Sequence, residues 1–296
     1  MTISRRQAAL LALLTLLWGC NWPMMKLSLR EVGPLWFRAI TMTGGVLLLG
    51  AWVAARGVRL APRAGQWAPL AGLALPNIVG WHLCSIIGLT LLPAGRAGIL
   101  AFTMPVWAML LGALMFRQRL SQGAWLASAC ALAAVALLGV QELTALAGRP
   151  GGELWLQAAA ASWALGTLLL RRSAIDLAPE AVTVWMMALG SAIFIVLAAA
   201  IEPPPAVAAW SGTMWAAMVW GIVVNFGISQ AIWFGLARAL TPQASTFSLM
   251  AVPLVGVISA TAVVGEVPRG SDWLAALFIA AAIAAATWRR GDNARA

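Results

Sequence analysis

Apolar stretches of about 20 residues, ten in succession and divided by short gaps, run the length of this 296-residue chain. No other feature limits its fold as strongly, because backbone N–H and C=O groups in hydrocarbon must be satisfied within a helix or a closed barrel. No alternation of apolar and polar residues over ten-residue segments is present, so a barrel is excluded. A helix rising 1.5 Å per residue needs about 20 residues to cross 30 Å of hydrocarbon. The expected spans are 7–27, 34–55, 67–90, 93–115, 121–140, 153–171, 179–200, 212–237, 241–264 and 270–288. With 62% hydrophobic residues, 9% charged residues and a mean hydropathy of +0.89, the composition lies outside that of soluble domains. The expected fold class is all-α: a polytopic membrane protein with ten transmembrane helices.

The net charge of +10 does not point to nucleic acid, since the basic residues sit in the gaps and form no basic face. They report orientation instead. Thirteen of the nineteen Lys and Arg fall in gaps on one side, five (Lys26, Arg30, Arg96, Arg149 and Arg269) on the other, and Arg38 lies within a span. Both termini are therefore expected to be cytoplasmic, in a multi-pass protein of the plasma (inner) membrane. The N-terminus opens like a signal peptide, but "GCNWPMMK" continues the span and further spans follow, so it is expected to be retained. Cys20, Cys84 and Cys130 lie inside apolar stretches with no CxxC spacing and no His partner. No metal and no cofactor are expected.

The chain also repeats itself. A shift of 148 places Asn77 on Asn225, Leu92 on Leu240, Pro105 on Pro253 and Trp125 on Trp273; a shift of 145 places Trp18 on Trp163, Lys26 on Arg171 and Pro34 on Pro179. This predicts two five-helix units, 1–140 and 153–290, joined by an external loop 141–152. With an odd number of spans, the second unit must enter from the opposite face. Inverted repeats are the architecture of many carriers that alternate access to a site near the midplane.

The first span "WGCNWPMMK", Arg38 in the second, "FTMPVWAMLLGALMFRQRLS" with its echo "SLMAVPLVGVISATAVVGEVPRG", and "SWALGTLLLRR" together resemble the EamA branch of the drug/metabolite transporter superfamily. Within it, the chain is most similar to the YddG-type aromatic amino acid exporters. The resemblance covers essentially the whole chain. It departs from the family at Gln118, where members often carry Glu, while Glu266 keeps the acid in the second copy.

Polar and aromatic residues at mid-span mark the candidate site. Trp18 and Trp163 come out about 15 Å into their spans, with Asn77, Asn225, Pro105 and Pro253 at similar depth. Trp ordinarily gathers at the headgroup level, so Trp at the midplane points to an aromatic-lined cavity. Helical spacing puts Trp18, Asn21, Trp22 and Met25 on one face, Asn77, Trp81 and Ser85 on another, and Asn225, Ser229 and Trp233 on a third. Each face mixes rings with amide or hydroxyl groups, which suits a substrate with an apolar body and a polar end. The competing reading is that Asn and Ser only bond helix to helix. Pro105 and Pro253 are candidate hinges or fixed kinks. His82, the only histidine and a candidate substrate contact, is either a proton carrier that titrates near neutrality or a structural hydrogen-bonder. Arg38 either snorkels to the interface or holds a substrate carboxylate.

No Asp or Glu falls in the interior of an expected span, which disfavours a proton antiporter of cationic drugs. The expected function is a membrane transporter exporting amino acids or related metabolites, with aromatic or large apolar, neutral or zwitterionic substrates. The alternative is a carrier for another small metabolite, such as a sugar derivative or nucleoside. A membrane enzyme is not expected, since paired acids, HxxxxD and metal clusters are missing from the sequence. The partners expected are a small-molecule substrate and the lipid bilayer, with no nucleic acid and a monomeric chain.

Overall fold

The computed structural model describes the backbone of residues 4–117, 120, 122–144, 151–239 and 242–288, and their side chains except at 141–144, 237–239, 242–250 and 286–288. Among the described residues there is no strand. In chain order the helices are α1 (Arg5–Ser28), α2 (Pro34–Ala55), α3 (Ala64–Leu91), α4 (Ala94–Phe116), α5 (Gln122–Thr144) and α6 (Gly151–Leu170). They continue with α7 (Pro179–Ile201), α8 (Gly212–Val219, Trp220–Ile228 and Ser229–Ala239 run together), α9 (Pro242–Val264) and α10 (Gly270–Trp288). Among the described residues seven helices, α1 to α5, α7 and α8, are long and apolar enough to cross a membrane. The apolar parts described for α9 and α10, Ala251–Val264 and Gly270–Ala285, are shorter.

The helix ends follow local chemistry. Ser4 and Gln7 form a reciprocal capping box at the start of α1. Pro34 and Pro179 occupy the first turns of α2 and α7, where a missing N–H costs nothing. Ser211 caps α8, accepting from the Met214 N–H at 3.1 Å.

Within the helices, interior breaks in hydrogen bonding are met by neighbours. Pro23 lies inside α1 and cannot donate to the Gly19 carbonyl. The Ser259 hydroxyl of α9 donates to that carbonyl at 3.4 Å, and a side chain at Gly19 would overlap Val255, so the two backbones pass closely. α3 loosens to π-helical turns over Leu75–Gly80, and α8 does the same over Trp220–Ile228. Such turns are rare and frequent at functional sites. In α3 the Ser162 hydroxyl of α6 donates to the Pro76 carbonyl at 3.0 Å. α4 breaks at Phe102–Thr103, just before Pro105, whose ring would crowd the preceding turn.

Three apolar clusters form the interior. The largest gathers Trp22, Met25, Leu89, Phe102, Leu156, Val257 and Ile279, the second Leu35, Met42, Leu70, Val184, Phe194 and Phe226, and the third Leu11, Leu14 and Leu236. Large apolar residues also face outward on many helices, including Leu47, Leu114, Leu132, Leu154 and Val196. That surface is suited to hydrocarbon, not water.

One end of the bundle carries Lys26, and the other Arg59. At the Lys26 end, the Lys26 ammonium donates to the Leu89 and Leu92 carbonyls at 2.6 and 2.8 Å, closing the last turn of α3. Glu202 accepts from the Leu35 and Trp36 N–H groups at 2.9 and 3.0 Å. At the Arg59 end, Asp176 pairs with Arg59 and Arg63 at 3.1 and 3.2 Å.

Candidate functional site

Arg38 stands in the second turn of α2 and is 2% exposed, enclosed by α3 and its neighbours instead of reaching an interface. One terminal nitrogen donates to the Ser85 hydroxyl at 3.3 Å, and Ser85 in turn donates to the His82 carbonyl at 3.3 Å. Arg38 Nε and His82 Nδ1 are both buried, and neither has a hydrogen-bond partner among the described residues. No carboxylate reaches Arg38 among the described residues. The His82 ring meets Phe226 of α8 edge-on at 5.6 Å and lies 6.5 Å from Trp81. The result is a buried niche with free donor capacity and aromatic walls.

The other site residues expected from sequence lie on α1, α3, α6 and α8. The Trp18 ring lies 5.6 Å from that of Trp233 at an interplanar angle of 50°. Trp18 packs against the first and third clusters and Trp233 against the second and third, so this pair sits on the seam between them. Asn21 is half-buried, its amide directed at Met25 Sδ 3.6 Å away. Trp22 is buried with its ring against Gly98 of α4, where a side chain would begin 3.3 Å from the ring. Trp81 and Trp163 are partly buried against the largest cluster.

Asn77 has a structural partner. Within the π-helical stretch of α3 its amide donates to the Leu73 carbonyl at 3.2 Å, and its head lies on Gly166 of α6. Asn225, at the matching place in α8, is half-buried, while Ser229 is fully buried with a hydroxyl that has no partner among the described residues. Pro105 lies directly after the break in α4, whereas Pro253 lies inside the continuous helix of α9. Gln118 lies outside the described residues.

Sequence reasoning missed a network at the α4 break. The Gln157 side-chain oxygen of α6 accepts from the Thr103 hydroxyl at 3.1 Å and the Trp107 indole at 2.9 Å, and its amide donates to the Leu100 carbonyl at 3.4 Å. An amide inside a span was the available signal. Also missed were three buried acids in first helical turns: Glu153, Glu180 and Asp272. Asp272 forms a buried pair with Arg96, Nε to Oδ1 2.8 Å.

Two cavities, of about 320 and 220 Å³, open at the Lys26 end and not at the Arg38 niche. They adjoin at Glu266, which lines both.

The sequence model of the EamA-like transporter family matches residues 6–140 and again 150–288. The chain is 27% identical over 290 residues to the "Uncharacterized transporter YvbV" of Bacillus subtilis (strain 168), covering 93% of this chain and 88% of that one. It is also 27% identical over 265 residues to the "Uncharacterized inner membrane transporter YedA" of Escherichia coli (strain K12), covering 88% and 84%. A crystal structure superposes with a TM-score of 0.69 at 24% identity, over 98% of this chain and 100% of that one, which shows the shared fold. The chain belongs to the EamA-like transporter family of the drug/metabolite transporter superfamily and is an integral membrane transporter.

Proposed function

We propose that this transporter exports amino acids or related metabolites with an aromatic or large apolar body and a carboxylate, by alternating access around the Arg38 niche. The observation that carries this reading is Arg38 itself. A cation this deeply buried costs several kcal/mol unless an anion accompanies it. Its protein partner here is a neutral hydroxyl, so a substrate carboxylate is the natural counter-charge, with Arg able to engage it bidentately. Phe226, Trp81 and the Trp18–Trp233 pair supply ring surface for the apolar body.

Inverted repetition of two five-helix halves, in ten crossings with both termini cytoplasmic, is part of the proposal. Several paired features support it. The π-helical stretches of α3 and α8 overlap at the shift of 148. The chain turns left-handed after α4 at Arg117 (φ 51°) and after α9 at Gly265 (φ 73°), positions related by the same shift. Glu31 bonds to Ser211 at one end, and Asp176, its counterpart at the shift of 145, pairs with Arg63 at the other. The two separate matches to the family model fit the same division.

The test is counterflow in proteoliposomes with aromatic amino acids, small aliphatic amino acids, a nucleoside and a sugar derivative. Aromatic amino acids are expected to exchange fastest. Exchange confined to the nucleoside or sugar would replace the proposed substrate class with the alternative one.

A further inference from the structure

A single side chain ties the end of α9 to the start of α4. Gly265 turns the chain back with a left-handed φ of 73°, which only glycine adopts without strain, and the Glu266 N–H returns to the Ala260 carbonyl at 3.3 Å. The Glu266 side chain then crosses to the other half of the molecule. Its Oε1 accepts from the Ala94 N–H at 2.6 Å and its Oε2 from the Gly95 N–H at 3.1 Å. These N–H groups open α4 and have no acceptor within the helix, and an ionised carboxylate there is favoured by the helix dipole.

The segment so held, Ala94–Ala101, is a short piece severed from the rest of α4 at Phe102–Thr103. Gln157 anchors it at the break, through Thr103 and the Leu100 carbonyl. At its other end it is held by Glu266 and by the Arg96–Asp272 pair. It is therefore jointed at one end and latched at the other. Gly98, midway along it, lies against the Trp22 ring, so this piece backs one of the candidate site residues. The cavities of about 320 and 220 Å³ lie beside the latch, and Glu266 lines both.

We propose that Glu266 is the gating residue at the Lys26 end: a positioning group whose two hydrogen bonds to α4 hold that mouth shut and are given up each time it opens. The proposal rests on the alternating-access reading above. Of the contacts that join the halves at this end, this one alone binds the two free N–H groups of the jointed piece. Glu202 caps α2, which runs on against α7 with the Thr43–Ser191 hydroxyl pair at 2.6 Å farther along, and Glu31–Ser211 is exposed.

The test uses the full chain with Cys20, Cys84 and Cys130 replaced by alanine and a reporter Val257→Cys. Val257 is 2% exposed and lies under Gly95, 3.4 Å from where a side chain there would begin. Labelling by a membrane-impermeant maleimide is measured from each side of oriented vesicles, without substrate. Glu266→Gln, which surrenders the charge and one acceptor, is expected to raise labelling from the Lys26 side about tenfold, and Glu266→Ala at least as much. A Gly95→Cys/Val257→Cys pair is expected to cross-link on oxidation and to stop transport until reduced. Unchanged labelling in both Glu266 variants, with the protein folded as judged by gel filtration, overturns the proposal, as does transport that continues in the cross-linked protein. Because labelling needs no substrate, a wrong substrate class would leave the labelling result standing. A wrong gate would instead leave exchange of the aromatic substrates standing.

Discussion

Arg38 and Ser85 meet at 3.3 Å in the interior of the bundle, a guanidinium on a neutral hydroxyl with no carboxylate near it among the described residues. Arg96 is also buried, but it is paired with Asp272 at 2.8 Å. One buried arginine is neutralised within the fold, while for the other we propose a substrate carboxylate as the partner.

The contact of Asn77 with Gly166 fixes the π-helical stretch of α3 against α6. Gly166→Ala is expected to destabilise the protein by about 1–3 kcal/mol through overpacking. Adding Asn77→Ala should recover part of that loss by removing the obstructing amide. Thermal melts in detergent measure both. Strictly additive losses would show that the two residues do not press on each other.

Gln157 supplies the acceptor for both Thr103 and Trp107 at the α4 break. Gln157→Leu leaves the Trp107 indole without its acceptor, at about 1–3 kcal/mol, while the Thr103 hydroxyl keeps the Leu100 carbonyl at 2.8 Å. The expected outcome is a lower melting midpoint and slower turnover with little change in KM, because the break and not the Arg38 niche is disturbed. A pure KM effect would move Gln157 into the substrate site.

Trp163, at mid-depth in its expected span, lies partly buried against the largest apolar cluster. If an aromatic substrate stacks on it, Trp163→Ala should weaken apparent affinity about three- to tenfold, from the 0.5–1.5 kcal/mol typical of ring pairs. Trp125→Ala, on an exposed indole, should have little effect. Equal losses for aromatic and small aliphatic substrates would mean that Trp163 only packs the bundle.

Much of this arrangement is legible in the sequence, and the remainder is not for definite reasons. Helices show as apolar runs because hydrocarbon forces every backbone group into an internal bond. Arg38, His82 and Ser85 can be singled out because polar groups in a span are costly, but their meeting cannot, since α2 and α3 come together only in the tertiary fold. Pro76 hints at irregularity in α3; nothing comparable marks Trp220–Ile228 in α8, where no proline occurs. Asn77 reads as a cavity residue by its face. Its bond to the Leu73 carbonyl exists only because the helix loosens there. Glu266 reads as an outer-end acid; its role on α4 depends on the turn at Gly265.

The Glu31 carboxyl, outside the spans, is held below its ordinary range first by the Ser211 hydroxyl and then by the Ser211 N–H. A carboxyl whose value is lowered on folding stabilises the fold above its unfolded value, about 4.3, and that contribution is lost as pH falls through the lower, folded value. Glu31→Gln should therefore melt slightly below the parent at pH 7, with the difference closing under acid conditions. A difference that widens as pH falls would reverse the assignment.

The most direct test of the carboxylate-binding role of Arg38 compares the exchange of an aromatic amino acid with that of its alcohol analogue, identical but for the carboxylate, in parent and Arg38→Gln proteoliposomes. The parent is expected to favour the carboxylate about tenfold or more, and Arg38→Gln to erase that preference mainly by losing the acid, with protein level and melting midpoint as controls. A parent that exchanges both equally, or a preference that survives Arg38→Gln, would contradict it.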